Sequence, residues 1–254
     1  MATPLIHTAE LRKEHRLGDA TVPALRGITL DIDEGEFVAI MGPSGSGKST
    51  LMNLLGLLDR PTSGSYSLAG RDVVELDSDQ RAHIRGRNIG FIFQAFNLLG
   101  RSTAIENVEL ALTYAGIARN ERRRRAAEAL EKVGLGHRQH HWPSQLSGGE
   151  QQRVAIARVL AAGPSLILAD EPTGSLDSAT GREIMALLQG LNLAGQTIVL
   201  VTHDPTVSRY ADRIVCMEDG RAISDGPVAP NRNGTGGPQD GLSQRLARPE
   251  MVAP

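Results

Sequence analysis

The sequence predicts an α/β fold: a three-layer αβα core carrying a small antiparallel β subdomain and a helical subdomain. Three observations support that expectation. The apolar run Glu36 to Met41 passes straight into the glycine-rich stretch Gly42 to Ser49, and then into a segment whose Leu51, Leu54, Leu55 and Leu58 recur at helical spacing. Ser165 to Ala169 and Gln196 to Val201 are continuous apolar runs of the kind that become strands buried on both faces. A helical pattern from Ala179 to Leu191 separates them, which makes a strand–helix–strand crossover. Residues 104–161 are helical over most of their length, with breaks at Gly116, at Gly134-Leu135-Gly136 and before Leu146.

The remaining elements follow in chain order. Residues 5–11 and 22–41 read as short strands, and residues 61–76, punctuated by Pro61, Gly64 and Gly70, read as a small sheet segment. Asn88 to Phe93 is another strand. One domain is expected over residues 1–226, its helical subdomain at about 95–160. From Pro227 to the end the chain is rich in Gly, Pro, Asn and Gln with little to bury, so 227–254 is expected to be a disordered tail. The charge run Glu121-Arg122-Arg123-Arg124-Arg125 fits a solvated helix face.

Composition narrows the function classes. A chain of 254 residues, 40% hydrophobic, buries a real core. Its formal net charge of -2 leaves no basic excess to neutralise phosphate backbones, which argues against a general nucleic-acid binder. The single cysteine, Cys216, cannot form an internal disulfide; it lies in the run Arg213 to Met217 and reads as a small buried hydrophobe in a reducing compartment. The N-terminus has no charged start followed by an apolar stretch, so no signal peptide is expected. The longest apolar runs are strand-sized, far short of the ~20 residues a membrane-spanning helix needs.

Gly42-Pro43-Ser44-Gly45-Ser46-Gly47-Lys48-Ser49, with Thr50 following, matches the pattern G-x-x-x-x-G-K-[ST]. The glycines let the backbone turn tightly and aim its N–H groups at phosphate oxygens, and the helix that starts there adds a partial positive charge. Lys48 would meet the β- and γ-phosphates, and the Ser49 hydroxyl would hold Mg²⁺. A glycine-rich turn with no ligand is the bland alternative, which the strand before and helix after disfavour. The strand Leu166 to Ala169 ends in Asp170-Glu171. Asp170 can hold the magnesium shell and Glu171 can polarise an attacking water; a helix cap is the rival role for such acids.

Leu146-Ser147-Gly148-Gly149-Glu150-Gln151-Gln152-Arg153 reads as a helix start, with Ser147 as cap, two glycines that bare N–H groups, and Val154, Ile156, Ala157 and Leu160 on the apolar face. It is a second anion site, for which one nucleotide in one chain has no use. A second copy of the chain explains it.

Leu-Ser-Gly-Gly-Glu is the signature of the ABC ATPases, and the chain resembles them up to about residue 226. The resemblance implies a P-loop NTPase core and a homodimer that sandwiches two ATP molecules, each between one phosphate loop and the opposite Ser147-Gly148-Gly149. It implies that Gln94 touches Mg²⁺ and the membrane partner, that Asp177 crosses the dimer interface, and that His203 stands near the γ-phosphate. Gly35 to Met41, Asp59 to Gly64, Phe96 to Leu99 and Glu106 to Leu110 are similar to the branch of macrolide exporters and lipoprotein-release systems. That branch implies a cytoplasmic subunit attached to the inner face of the cell membrane through an integral membrane permease, with a periplasmic or extracellular adaptor, powering export or membrane extraction. The branch also contains a relative that moves no cargo and drives a membrane protein's external domain, which is the alternative. A soluble relative acting in DNA repair or translation fits poorly, because the chain has one ATPase unit, no heptad array and one cysteine. The chain departs from the family at His15, where a tyrosine usually stacks on adenine; the imidazole offers a smaller face.

Overall fold

The computed structural model describes residues 3–18 and 20–228. β1 (Ile6–Leu17) and β2 (Ala20–Ile32) pair antiparallel, a longer hairpin than the expected short strands. The chain then enters the core as β3 (Phe37–Met41), turns through the glycine-rich stretch and continues as α1 (Lys48–Leu55). β4 (Ser63–Leu68) and β5 (Arg71–Asp72) return to the hairpin and complete a four-stranded antiparallel sheet in the order β2-β1-β4-β5.

α2 (Ser78–Asn88) has no counterpart in the sequence expectation. It is polar nearly all round, so it carries no apolar stripe to read; Arg81 and Ile84 are the residues it buries. Its start is set by a capping box, in which Asp77 Oδ1 accepts from Gln80 N at 2.8 Å and Gln80 Oε1 accepts from Asp77 N at 3.1 Å. β6 (Ile89–Phe93) follows, then the helices α3 (Ala104–Tyr114), α4 (Arg119–Lys132) and α5 (Gly148–Ala162), which pack together through Val108, Leu112, Leu130 and Val154. Arg124 and Arg125 pair with Glu128 and Glu121 of the same helix, and Arg123 pairs with Glu109 of α3; Arg123 and Arg124 are exposed, as expected of a solvated run.

β7 (Leu166–Asp170), α6 (Ser178–Leu193) and β8 (Thr197–Val201) form the expected crossover. The short α7 (Pro205–Ser208) leads to β9 (Arg213–Glu218) and β10 (Arg221–Pro227). The second sheet has six strands in the order β10-β9-β3-β8-β7-β6, parallel except for the β9–β10 hairpin. β3 and β8 are buried at every position. Alternate side chains serve opposite layers, since strand residues point to the two faces in turn. Val38 and Ile40 pack with Leu51, Leu54 and Leu55 of α1, whereas Phe37 and Ala39 pack with Ile156 of α5 and Ile184 and Leu188 of α6. Cys216 is buried in β9, opposite Met41 of β3.

No helix among the described residues is long and apolar enough to cross a membrane. Pro227 closes β10, and Val228 N–H donates to Asp212 O at 2.8 Å. The rest of the expected tail, residues 229–254, lies outside the described residues.

Candidate active site

The glycine-rich loop is pressed against two other parts of the fold. Gly42 has φ 156° and Gly47 φ 99°; a Cβ on the first would lie 2.2 Å from Met217 O, and one on the second 2.7 Å from Ala24 O. Only glycine adopts those angles in so little space. The turn between β9 and β10 braces the loop from behind, because Gly220 N donates to Ser46 O at 3.0 Å and Arg26 N of β2 donates to Gly220 O at 2.8 Å. Lys48 Nζ donates to Gly42 O and to Pro43 O, each at 2.8 Å, and so holds the loop wound. α1 begins at Lys48 with Gly47 as N-cap and no side-chain cap. Its first-turn N–H groups, on Lys48, Ser49 and Thr50, are therefore left for an outside acceptor, and the helix dipole adds to the pull on an anion. This cradle fits a phosphate chain.

The acids reach the loop through the sheet. Ile40 of β3 and Asp170 of β7 both pair with Val201 of β8, so the ends of three adjacent strands lie side by side. Two strand spacings set β3 and β7 roughly 10 Å apart, within reach of a lysine and two carboxylates. The electrostatics agree. Burial lowers the pKa of Lys48, opposed by the charges of Glu171 and Asp170. Burial and then Glu171 raise the pKa of Asp170, opposed by Lys48.

Glu171 sits at φ 46°, a left-handed conformation that costs energy for a residue with a side chain. Its carboxylate is held on three sides. Oε1 accepts from His203 N at 2.9 Å and lies 2.5 Å from His203 Nδ1, and Oε2 accepts from Thr202 Oγ1 at 3.1 Å. The His203 ring is mostly exposed while Glu171 is largely covered, so the pair spans the mouth of the site. Gln94 follows β6 directly, and its amide packs against Gly174, where a Cβ would come within 2.9 Å of Nε2. Ser49, Gln94 and Asp170 offer a magnesium ion one carboxylate and two neutral oxygens, and a small hard cation that keeps phosphate and water ligands suits that set.

Ser147, Gly148 and Gly149 lie elsewhere. Ser147 is the N-cap of α5 in a capping box, with Ser147 N donating to Glu150 Oε2 at 2.8 Å and Glu150 N to Ser147 Oγ at 3.2 Å. Their neighbours are Phe96, Leu176 and Thr180, not the phosphate loop. Asp177 caps α6 beside them, accepting from Ala179 N and Thr180 N at 2.9 and 3.0 Å and from Thr180 Oγ1 at 2.6 Å. Thus one chain carries two clusters: Lys48, Asp170, Glu171 and His203 with Gln94 alongside, and Ser147–Gly149 with Asp177. His15 is exposed on β1 opposite Val22, in the outer hairpin.

The model of the ABC transporter family matches residues 25–174, more than half of the chain. This chain belongs to the ABC transporter family. Macrolide export ATP-binding/permease proteins MacB are close in sequence: that of Sodalis glossinidius is 54% identical over 225 residues, 89% of this chain and 34% of its own length. That of Syntrophobacter fumaroxidans is 57% identical over 219 residues, 85% of this chain and 31% of its own. The chain thus spans about a third of the length of these curated relatives. Among solved structures, a dimeric post-hydrolysis state of the ATP-binding cassette MJ0796 bound to ADP and Pi has a TM-score of 0.80 at 46% identity, covering 88% of this chain and 99% of its own. The cbiO1 protein of Clostridium perfringens, part of the ABC transporter complex cbiONQ, also has a TM-score of 0.80, at 31% identity over 89% of each chain. The fold is that of an ABC ATPase cassette.

Two residues of this ABC cassette's site escape sequence reading. Thr202 bonds Glu171, and its one signal is its place between a strand and His203. Gln152 is fully buried in α5, where its amide hydrogens are spent on carbonyls at the foot of the site.

Proposed function

We propose that the chain hydrolyses ATP as a symmetric homodimer and drives a membrane permease that exports or extracts an amphiphilic substrate. The observation that carries this reading is the division of phosphate-binding features into two clusters within one chain. The loop, Asp170, Glu171 and His203 form a half-site lacking its cover, and the open start of α5 is a cover lacking its nucleotide. A second copy related by a two-fold axis completes both.

In that pair the N–H groups of Gly42 to Thr50 and the Lys48 ammonium hold the phosphates, and Ser147 to Gly149 of the other copy close over them. Pro43, Ser44, Gly45 and Ser46 shape the turn of the cradle. Ser49, Gln94 and Asp170 would hold a magnesium ion, which would supply positive charge against the phosphates. Glu171 orients and polarises the water, with its carboxylate fixed by Thr202 and His203 so that no reorganisation is needed when charge develops. Asp177 lines the interface, and His15 contacts adenine. In this reading the cassette sits on the cytoplasmic side at the inner face of the membrane, with an adaptor outside it; the relatives named as macrolide export ATP-binding/permease proteins support the permease.

Purification in gentle detergent tests the partner. A membrane protein should accompany the cassette and stimulate ATP turnover; recovery of the cassette alone, without such stimulation, would overturn the permease reading. Cargo movement into vesicles separates an exporter from the non-transport alternative, in which turnover proceeds and nothing crosses.

A further inference from the structure

Gln152 has no exposed surface, and its amide joins α5 to the end of β6 and to the residue that follows Glu171. Nε2 donates to Pro172 O at 2.7 Å and to Phe93 O at 3.3 Å. Pro172 follows Glu171, and Phe93 precedes Gln94. The orientation of the amide is fixed by these two acceptors, since the flipped form would set its oxygen against two carbonyls. Oε1 is buried and has no hydrogen-bond partner, which is the cost of that orientation.

Other contacts make the same three elements one body. Arg158 of α5 donates from Nη1 to Asn97 O at 2.6 Å and from Nη2 to Phe96 O at 3.2 Å, so α5 grips the segment on the far side of Gln94 as well. Gln94 packs on Gly174, and Gly174 N donates to Glu171 O at 3.0 Å. The path from the start of α5 to the catalytic carboxylate is therefore short: Gln152, Pro172, Glu171.

We infer that Gln152 is a positioning residue that sets the backbone of Glu171 and Gln94 according to the placement of α5. The inference rests on Glu171 acting on the water and on Ser147–Gly149 covering a nucleotide. When the start of α5 engages the opposite phosphate, the bond to Pro172 O carries that engagement to Glu171, and the bond to Phe93 O carries it to Gln94. A hydrolytic carboxylate is thereby tied to closure of the pair instead of to nucleotide occupancy alone. A two-state element biased at both ends is the physical requirement for such coupling.

Gln152→Met keeps the length and removes both donors; Gln152→Glu keeps the shape and faces two carbonyls with an acceptor. Misplacing a reacting group by about 1 Å costs on the order of a hundredfold, so kcat should fall by about tenfold to a hundredfold in either variant, with KM for ATP nearly unchanged. Hydrogen exchange in the nucleotide-free protein should speed up at residues 94–97 and 171–174, and not in α1. A residue that only stabilises the fold would lower the melting temperature and leave both readouts alone, and that result overturns the inference. Should neither variant fold, native-state exchange on the wild type decides: residues 94–97 and 171–174 should open in one reaction with the first turn of α5, and independent opening overturns the inference. If Glu171→Gln keeps its turnover, the underlying role of Glu171 has failed instead, so the two failures are told apart.

Discussion

Replacing Glu171 by Gln separates the charge of that side chain from its shape. Its Oε1 can go on accepting from His203 N, now 2.9 Å away, and its amide nitrogen takes the place of Oε2, which stands 3.1 Å from Thr202 Oγ1. A hydroxyl both donates and accepts, so Thr202 can turn to accept from the new amide. The fold then loses at most the charge assistance in those bonds, about 1 kcal/mol, and the melting temperature should move by no more than about 2–4 °C. The chemistry loses more. A positioned base is worth about 10²–10⁴-fold in rate, which at about 1.4 kcal/mol per tenfold is roughly 3–5 kcal/mol of barrier. Single-turnover phosphate release should therefore slow by at least about a hundredfold, while ATP still binds. Light scattering of the same variant should show a closed dimer that accumulates with ATP and disperses with ADP. Retention of most of the wild-type turnover would falsify the role given to Glu171, and loss of ATP binding would mean that it holds nucleotide instead.

Three further outcomes follow from the same geometry. His15→Tyr, which offers adenine a larger face, should lower the Kd for a fluorescent ATP analogue; an unchanged or weaker affinity removes His15 from the site. Asp170 binds its proton more tightly folded than unfolded, so its ionisation costs stability above the folded pKa and costs nothing below the unfolded one. Asp170→Asn should accordingly raise the melting temperature of the nucleotide-free protein at pH 8 and not near pH 3, while weakening magnesium-dependent ATP binding; a lower melting temperature at pH 8 contradicts the burial argument. The hydrogen bonds from Thr180, side chain and backbone, hold the Asp177 carboxyl below its usual range. Its cap therefore stabilises α6 above the unfolded pKa and is lost as pH falls through the folded one. Asp177→Ala should melt lower than wild type at pH 7, with the gap closing in strong acid, and should form less ATP-dependent dimer; a dimer of wild-type strength would confine Asp177 to capping.

The phosphate loop was legible because its chemistry is local: strand, glycine turn and helix occupy one short stretch, and each residue's duty follows from its neighbours. β7, α6 and β8 were legible because burial on both faces leaves unbroken apolar runs. α2 was not, since a helix held by a capping box and a single buried Ile84 has no periodic apolar signal. β9 shows in the sequence as the apolar run around Cys216, but its place beside β3 depends on pairing across about 175 residues of chain, which no local pattern encodes. Thr202 and Gln152 were invisible for a related reason. A threonine or a glutamine is ordinary by type, and its duty comes from which distant carbonyl or carboxylate the fold sets against it. Gln94 and His203 were reached through resemblance to a family, and the geometry now gives them neighbours: Gly174 for one and Glu171 for the other.

The bracing of the phosphate loop by the β9–β10 turn has a consequence for the making of the protein. β3 takes its place in the sheet between β8 and β9, and Ser46 O waits for Gly220 N. At ordinary speeds of synthesis, of about 5–20 residues per second, the loop leaves the ribosome roughly ten seconds or more before the residues that hold it in shape. A nascent chain that has not yet displayed Gly220 has the motif and no cradle. Nucleotide capture is thus expected only once β9 and β10 have been made, and a chain stopped before β9 should bind ATP more weakly than the whole cassette.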